Sequence, residues 1–204
     1  MRASASTDPH RGDRAGATPR SVSICAAAVL LIALFAVLAP RGAHSRSLAA
    51  EETAALAATV ARFDTAMRES RFADVVDVIP PRVLQAIASK GGGTVDDLRK
   101  AMLEQIDRAM RSVKIVSFAM DLQGGRHAEL ADGSPYVLIP TRTWMDAGSK
   151  GRLKASSETL ALLDEGKWYL LRVENQGHVA LLRETYPGFG NVEFAKGTME
   201  IEKK

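Results

Sequence analysis

Along this chain the spacing of apolar residues changes period once, near Arg111. Before that point they recur near every 3.6 residues, and after it near every second residue. A 3.6 period lets a helix bury one stripe, and a period of two lets a strand bury one face. Helices followed by a run of strands do not match the alternating order that builds a parallel sheet. The pattern is that of an α+β fold, with N-terminal helices packed on one face of an antiparallel sheet.

The helical part divides at its breakers. Leu56, Val60, Phe63 and Met67 fall at i, i+4, i+7 and i+11 among alanines, which predicts a helix over residues 49–69. A short segment follows, with Phe72, Val75, Val76 and Ile79 as its apolar residues. Pro80-Pro81 ends it, and Pro81 can open the next helix at its first turn. That helix carries Val83, Leu84 and Ile87 and stops at Gly91-Gly92-Gly93. Thr94 then caps a further helix, with Asp97 three residues on and Leu98, Met102, Ile106 and Ala109 as its stripe.

The strand part reads as segments over residues 113–120, 126–130, 136–146, 153–164 and 167–173. Asp132-Gly133, the stretch 147–151 and Glu165-Gly166 are the turn signals between them. A two-residue loop at Glu165-Gly166 places Leu163 opposite Trp168 and Ala161 opposite Leu170. Pro140, inside the longest strand, predicts an edge or a bulge. A last helix is expected over 179–184, and the tail 191–204 is expected to be loosely ordered.

The first 45 residues differ in kind. Val22 to Ala39 carries no charge, is preceded by Arg11, Arg14 and Arg20, and is closed by Pro40. Small residues follow at Ala43 and Ser45. This is the order of a secretory signal peptide, with cleavage after Ser45 or Ala49. The alternative is an uncleaved anchor, since 18 apolar residues sit at the short end of what spans a bilayer. Either way the expected organisation is a leader over 1–45, one exported domain over 46–190 and the tail. The expected location is the periplasm or beyond, with membrane attachment only where the leader is kept.

Charge and cysteine content narrow the function classes. Five of the 27 basic and two of the 24 acidic residues lie in the first 45, so the remainder holds 22 of each. A neutral domain lacks the basic surface that nucleic acid demands, so no nucleic-acid partner is expected. The single cysteine, Cys25, lies in the leader, which leaves the domain without a disulfide or a thiol nucleophile.

The motifs Phe63-Asp64-Thr65-Ala66-Met67, Phe72-Ala73-Asp74-Val75-Val76, Pro81-Arg82-Val83-Leu84 and Gly166-Lys167-Trp168-Tyr169, in this element order, are carried by residues 51–173. This stretch resembles the NTF2-like (SnoaL-like, cystatin-like cone) superfamily. Leu181 to Pro187 looks like the ending of small exported members with no assigned role. The resemblance implies a curved antiparallel sheet closed by helices into a cone. The superfamily holds isomerases, dehydratases and hydrolases as well as pure binding and scaffold domains, so the fold alone does not give an activity. In its enzymes, acids and tyrosines project into the cone pocket. The corresponding candidates are Asp64 on the first helix and Tyr136 and Tyr169 on strands, with Phe63 and Trp144 expected nearby.

Taken residue by residue, the chemistry is sparse. Gly91-Gly92-Gly93-Thr94 follows a helix rather than a strand and lacks a Gly-Lys-Ser/Thr, so it reads as a loop and a cap, not a phosphate cradle. His127 and Glu129 share a strand face but lack the further ligands a metal needs, so no metal is expected. Asp64 can pair with Arg68 four residues on. Arg142 can meet Glu158 across a hairpin, or read a ligand carboxylate from the pocket. No nucleophile elbow occurs. The resulting expectation is an exported, non-enzymatic binding or accessory domain. It would hold a small apolar ligand or a partner protein, with no cofactor, through Asp64, Tyr136, Arg142 and Tyr169. The alternatives are a cofactor-free isomerase, dehydratase or hydrolase, and a membrane-anchored subunit of an envelope complex. A homodimer through the sheet face is also compatible with it.

Overall fold

The computed structural model describes residues 47–202. The leader, and with it the choice between signal peptide and anchor, lies outside the described residues. Four helices come first: α1 (Ala50–Arg68), α2 (Phe72–Asp77), α3 (Pro81–Gly91) and α4 (Val95–Met110). Strands β1 (Lys114–Met120), β2 (Arg126–Glu129), β3 (Pro135–Asp146), β4 (Arg152–Asp164) and β5 (Lys167–Arg172) follow, then α5 (Gln176–Thr185) and β6 (Thr198–Glu202). The fold is α+β, with helices packed on a curled antiparallel sheet. Among the described residues, no helix is long and apolar enough to cross a membrane.

The helix ends follow local chemistry. The N–H of Asp97 donates to Thr94 Oγ1 over 3.1 Å, and Asp97 Oδ2 accepts from the Thr94 N–H over 3.2 Å, a reciprocal capping box. The Thr94 hydroxyl and then its backbone N–H hold the Asp97 carboxyl below the usual carboxylate range. Gly92 ends α3 in the left-handed conformation, with φ of 71°, which a side-chain-free residue adopts without steric cost.

In the sheet, β1, β3, β4 and β5 are neighbours in that order. β2 shares the outer side of β3 with β1, and β6 shares the outer side of β4 with β5. The β4–β5 hairpin closes through Glu165 and Gly166, at φ of 50° and 76°. That pair of positive angles suits the twist of the flanking strands. Leu163 faces Trp168 and Ala161 faces Leu170, as the two-residue loop predicts.

Pro140 is neither at a sheet edge nor at a bulge. The β3–β4 register runs unbroken from Tyr136 to Asp146. On the other side of β3, the Pro140 carbonyl accepts from the Asp121 N–H over 2.8 Å, in the gap after β1 ends and before β2 begins. The one bond that proline cannot donate, to the Asp121 carbonyl, falls where the β1 ladder ends, so no bond inside the β3–β4 ladder is lost. The bulge sits instead in β1, where Val116 is inserted between Ile115 and Ser117.

Alternation along the strands builds two cores. On one face Val137, Ile139, Ala161, Trp168 and Leu170 pack against Leu56, Val60 and Val78 from the helical side. On the other, Tyr136, Leu138, Leu160 and Leu162 pack against Leu182 of α5 and Phe189 of the short 3-10 turn that follows it. The C-terminal part of the chain thus covers one end of the outer face. The tail from Asn191, expected to be loose, packs Val192 and Phe194 on this second core and pairs β6 with β4. A polar junction links α3, the hairpin and α5. The Tyr186 hydroxyl donates to Asp164 Oδ2 over 2.8 Å, and Arg82 lies 3.1 Å from Asp164 Oδ1 and 5.5 Å from the Tyr186 ring centre.

Candidate functional site

The helices do not cover the whole inner face of the sheet. No residue of α4 is fully buried, and its stripe of Leu98, Met102 and Ile106 is only half-buried. Between α1, α2, α4 and the far half of the sheet lies a cavity of about 450 Å³. Ligand pockets usually run from about 300 to 1,000 Å³.

Its walls follow from strand alternation. Residues of β3 in register with Val137 and Ile139 continue as Thr141, Thr143 and Met145, and all three line the cavity. Ile115 and Phe118 of β1, Thr159 of β4 and Leu170, Leu171 and Arg172 of β5 complete the sheet side, with Arg172 paired to Glu174 over 2.7 Å. From the helices come Phe63, Met67, Val75, Met102 and Met110. Four of these liners are methionines, whose unbranched, polarizable side chains adapt to irregular shapes. The Phe63 and Phe118 rings meet edge-on at 5.6 Å and bridge α1 to β1.

The polar groups inside are few. Thr141 Oγ1 donates to the Ile139 carbonyl over 3.1 Å and lies 2.8 Å from Thr159 Oγ1. With the Thr141 proton used there, Thr159 donates to Thr141, so neither hydroxyl leaves an orphan. His178, at the sheet-edge end, has a buried Nδ1 with no hydrogen-bond partner among the described residues. Asn175 Oδ1 accepts from the His178 N–H over 3.0 Å, which turns the amide nitrogen toward His178 Nε2, 3.2 Å away. Nε2 therefore accepts, and in the neutral ring the proton sits on Nδ1.

A second, polar groove of about 470 Å³ adjoins this cavity. The two share Phe63, Val78 and Ile79 as lining residues. The groove also carries Arg62, Arg71, Arg99 and Lys167, with Asp74 and Asp77. Arg71 pairs with Asp74, and with Glu69 at 2.8 Å, while Arg99 pairs with Asp77. Lys167 lies 5.1 Å from the Tyr169 ring centre. Arg62 and Lys167 make no ion pair among the described residues.

The four residues expected from the sequence do not come together. Asp64 pairs with Arg68, leaving its side chain 19% exposed, and it lines neither cavity. Tyr136 faces the opposite side of the sheet, where its ring meets Phe189 at 5.3 Å. Burial pushes its phenol above the usual tyrosine range, against the pull of Arg126. Arg142 and Trp144 share the strand parity of Tyr136 and also point away from the cavity. Arg142 is exposed and stands opposite Ser156, and Glu158 is held by Arg126 at 3.0 Å. The cross-hairpin Arg142–Glu158 pair, one of the two possibilities for Arg142, does not form, because the unbroken register sets Glu158 against Pro140. Only Tyr169 borders one of the two cavities, at the polar groove, with its phenol pushed up first by burial and then by Asp164 and Glu165.

The sequence marks Met67 and Met102 only as packing residues of helix stripes, and it does not mark the threonines, Met110, Met145 or His178 as site residues. The available signal was parity: counting by twos from Ile139 gives Thr141, Thr143 and Met145. His127 and Glu129 lie on β2, and no group of three or more metal-ligating side chains is present among the described residues. Comparison with family models, with curated proteins and with solved structures returns no match.

Proposed function

We propose that this chain is an exported binding domain with an NTF2-like cone, and that it holds a small apolar molecule between its helices and its sheet. One observation carries the reading: the cavity of about 450 Å³ is lined by four methionines, two phenylalanines and further aliphatic side chains, with few polar groups. Such a lining favours apolar ligands through burial of their surface, at about 25 cal/mol per Å². The curled antiparallel sheet under N-terminal helices is compatible with the cone architecture that the sequence resembles. Export rests on the charged, apolar and small-residue order of residues 1–45.

The arrangement favours binding over catalysis. A proton-transfer enzyme of this architecture needs a base within about 3 Å of the substrate proton and a donor aimed at the developing charge. Asp64 faces Arg68, and the acid–tyrosine pair formed by Asp164 and Tyr186 lies among Arg82 and the hairpin. Among the described residues, the ionisable side chains that do line the cavity, His178 and Arg172, include no carboxylate and no tyrosine. The test is equilibrium titration of the full chain with a neutral apolar fluorophore such as N-phenyl-1-naphthylamine. Saturable binding that Asp64→Asn leaves unchanged supports the reading. A turnover of a small carbonyl substrate that Asp64→Asn abolishes would favour the isomerase, dehydratase or hydrolase reading instead.

A further inference from the structure

The apolar cavity and the polar groove have Phe63, Val78 and Ile79 in common, so a ligand seated in the first ends beside the second. The groove is not electrically balanced. Its two carboxylates are engaged, Asp74 with Arg71 and Asp77 with Arg99. That leaves Arg62 on α1 and Lys167 at the start of β5 as cations with no carboxylate partner among the described residues. Phe63, Trp168 and Tyr169 line the same groove as Arg62 and Lys167, so both charges stand at the border of apolar surface. A cation at such a border keeps its head in water and its stem on apolar atoms. It attracts an anion held at the same border more strongly than one in bulk water, because part of the surrounding medium is protein.

We infer that the natural ligand is a single-chain amphiphile with an anionic head, its tail in the methionine-rich cavity and its head in the groove between Arg62 and Lys167. This inference rests on the binding reading above and adds the charge and polarity of the ligand to it. Carboxylate and phosphate heads share the chemistry that two cations recognise, and a guanidinium can meet either with two parallel hydrogen bonds. The tail needs no specific contact beyond shape and apolar lining.

The experiment uses the full chain without detergent and three probes of equal chain length: decanol, decanoate and decyl phosphate. Each displaces a neutral fluorophore, and each is measured at low and high salt. Both anionic probes are expected to bind about five- to tenfold more tightly than decanol at low salt, and the gap is expected to narrow as salt screens the exposed charges. In the double variant Arg62→Gln with Lys167→Gln, the preference should fall below about twofold while decanol affinity stays unchanged. The larger of the two anionic preferences identifies the head group. Equal binding of alcohol and acid to the wild-type chain, or a preference that survives in the double variant, would overturn the inference and leave the apolar-cavity reading standing. Failure of all three probes to bind the wild-type chain would overturn both.

Discussion

Replacing Trp168 with alanine tests the inner core where the helices meet the sheet. The indole is 2% exposed and sits in the cluster formed with Leu56, Val60, Val137 and Ile139. Its Nε1–H donates to the Glu52 carbonyl over 3.0 Å, tying β5 to the first turn of α1. Truncating a core aromatic costs about 3–5 kcal/mol, through lost transfer energy and the cavity left behind. The hydrogen bond adds little, because the Glu52 carbonyl is also an acceptor in the helix ladder and is not orphaned by the change. With a urea slope of about 2 kcal/mol per M, the midpoint should fall by roughly 1.5–2.5 M. Trp168→Phe keeps most of the ring and loses the donor, so about 1–2 kcal/mol is expected. Equilibrium urea unfolding followed by circular dichroism measures both. A loss below about 1 kcal/mol for the alanine variant would mean that this tryptophan does not hold α1 on the sheet.

Three further outcomes follow from particular geometries. Glu165 stands at φ of 50°, a conformation costly for a side chain, so Glu165→Asn should raise stability by about 1 kcal/mol in the same unfolding assay. The Tyr186 phenol is pushed far above its ordinary value of 10.0, first by burial and then by its bond to Asp164. A raised folded value means that its stabilisation is complete below about pH 10 and is lost as pH climbs toward the folded value. Tyr186→Phe should therefore cost about 1–2 kcal/mol near neutrality, and its deficit against wild type should shrink in unfolding curves taken at increasingly alkaline pH. The leader reading predicts that protein recovered from the periplasm begins at Arg46 or within a few residues of it; N-terminal sequencing that instead finds the intact start in the membrane fraction would establish an anchor.

Local order was more legible in the sequence than the placement of the site. The capping box at Thr94 and the hairpin at Glu165-Gly166 are short-range devices, and their residues carry the needed geometry. The long strand hides its facing. Tyr136, Val137, Leu138 and Ile139 are all buried, since the helices cover one side and the C-terminal segment the other. Without polar alternation there is no local mark of which parity faces the helices, and a one-residue error moves every side chain to the other face. That ambiguity is why Tyr136, Arg142 and Trp144 read as cavity residues from the sequence and face the other side in the structure. The pairing of β6 with β4 joins residues more than forty positions apart, which local patterning cannot report. The sequence around Pro140 predicts an edge or a bulge and the structure has neither there, because the cost of this proline depends on a gap between two other strands, a tertiary fact.

The most direct measurement of ligand binding by the apolar cavity is native mass spectrometry of the wild-type protein beside Met102→Trp. Met102 is half-buried on α4 and lines the cavity, so the larger indole occupies ligand space from a position outside the packed core. Wild-type protein recovered from its own host should carry a small-molecule adduct that denaturation releases. The variant should fold with the same circular dichroism and carry none. A wild-type protein that is bare and remains so with added decanol and decanoate, or an adduct that Met102→Trp leaves in place, would contradict a ligand seated in this cavity.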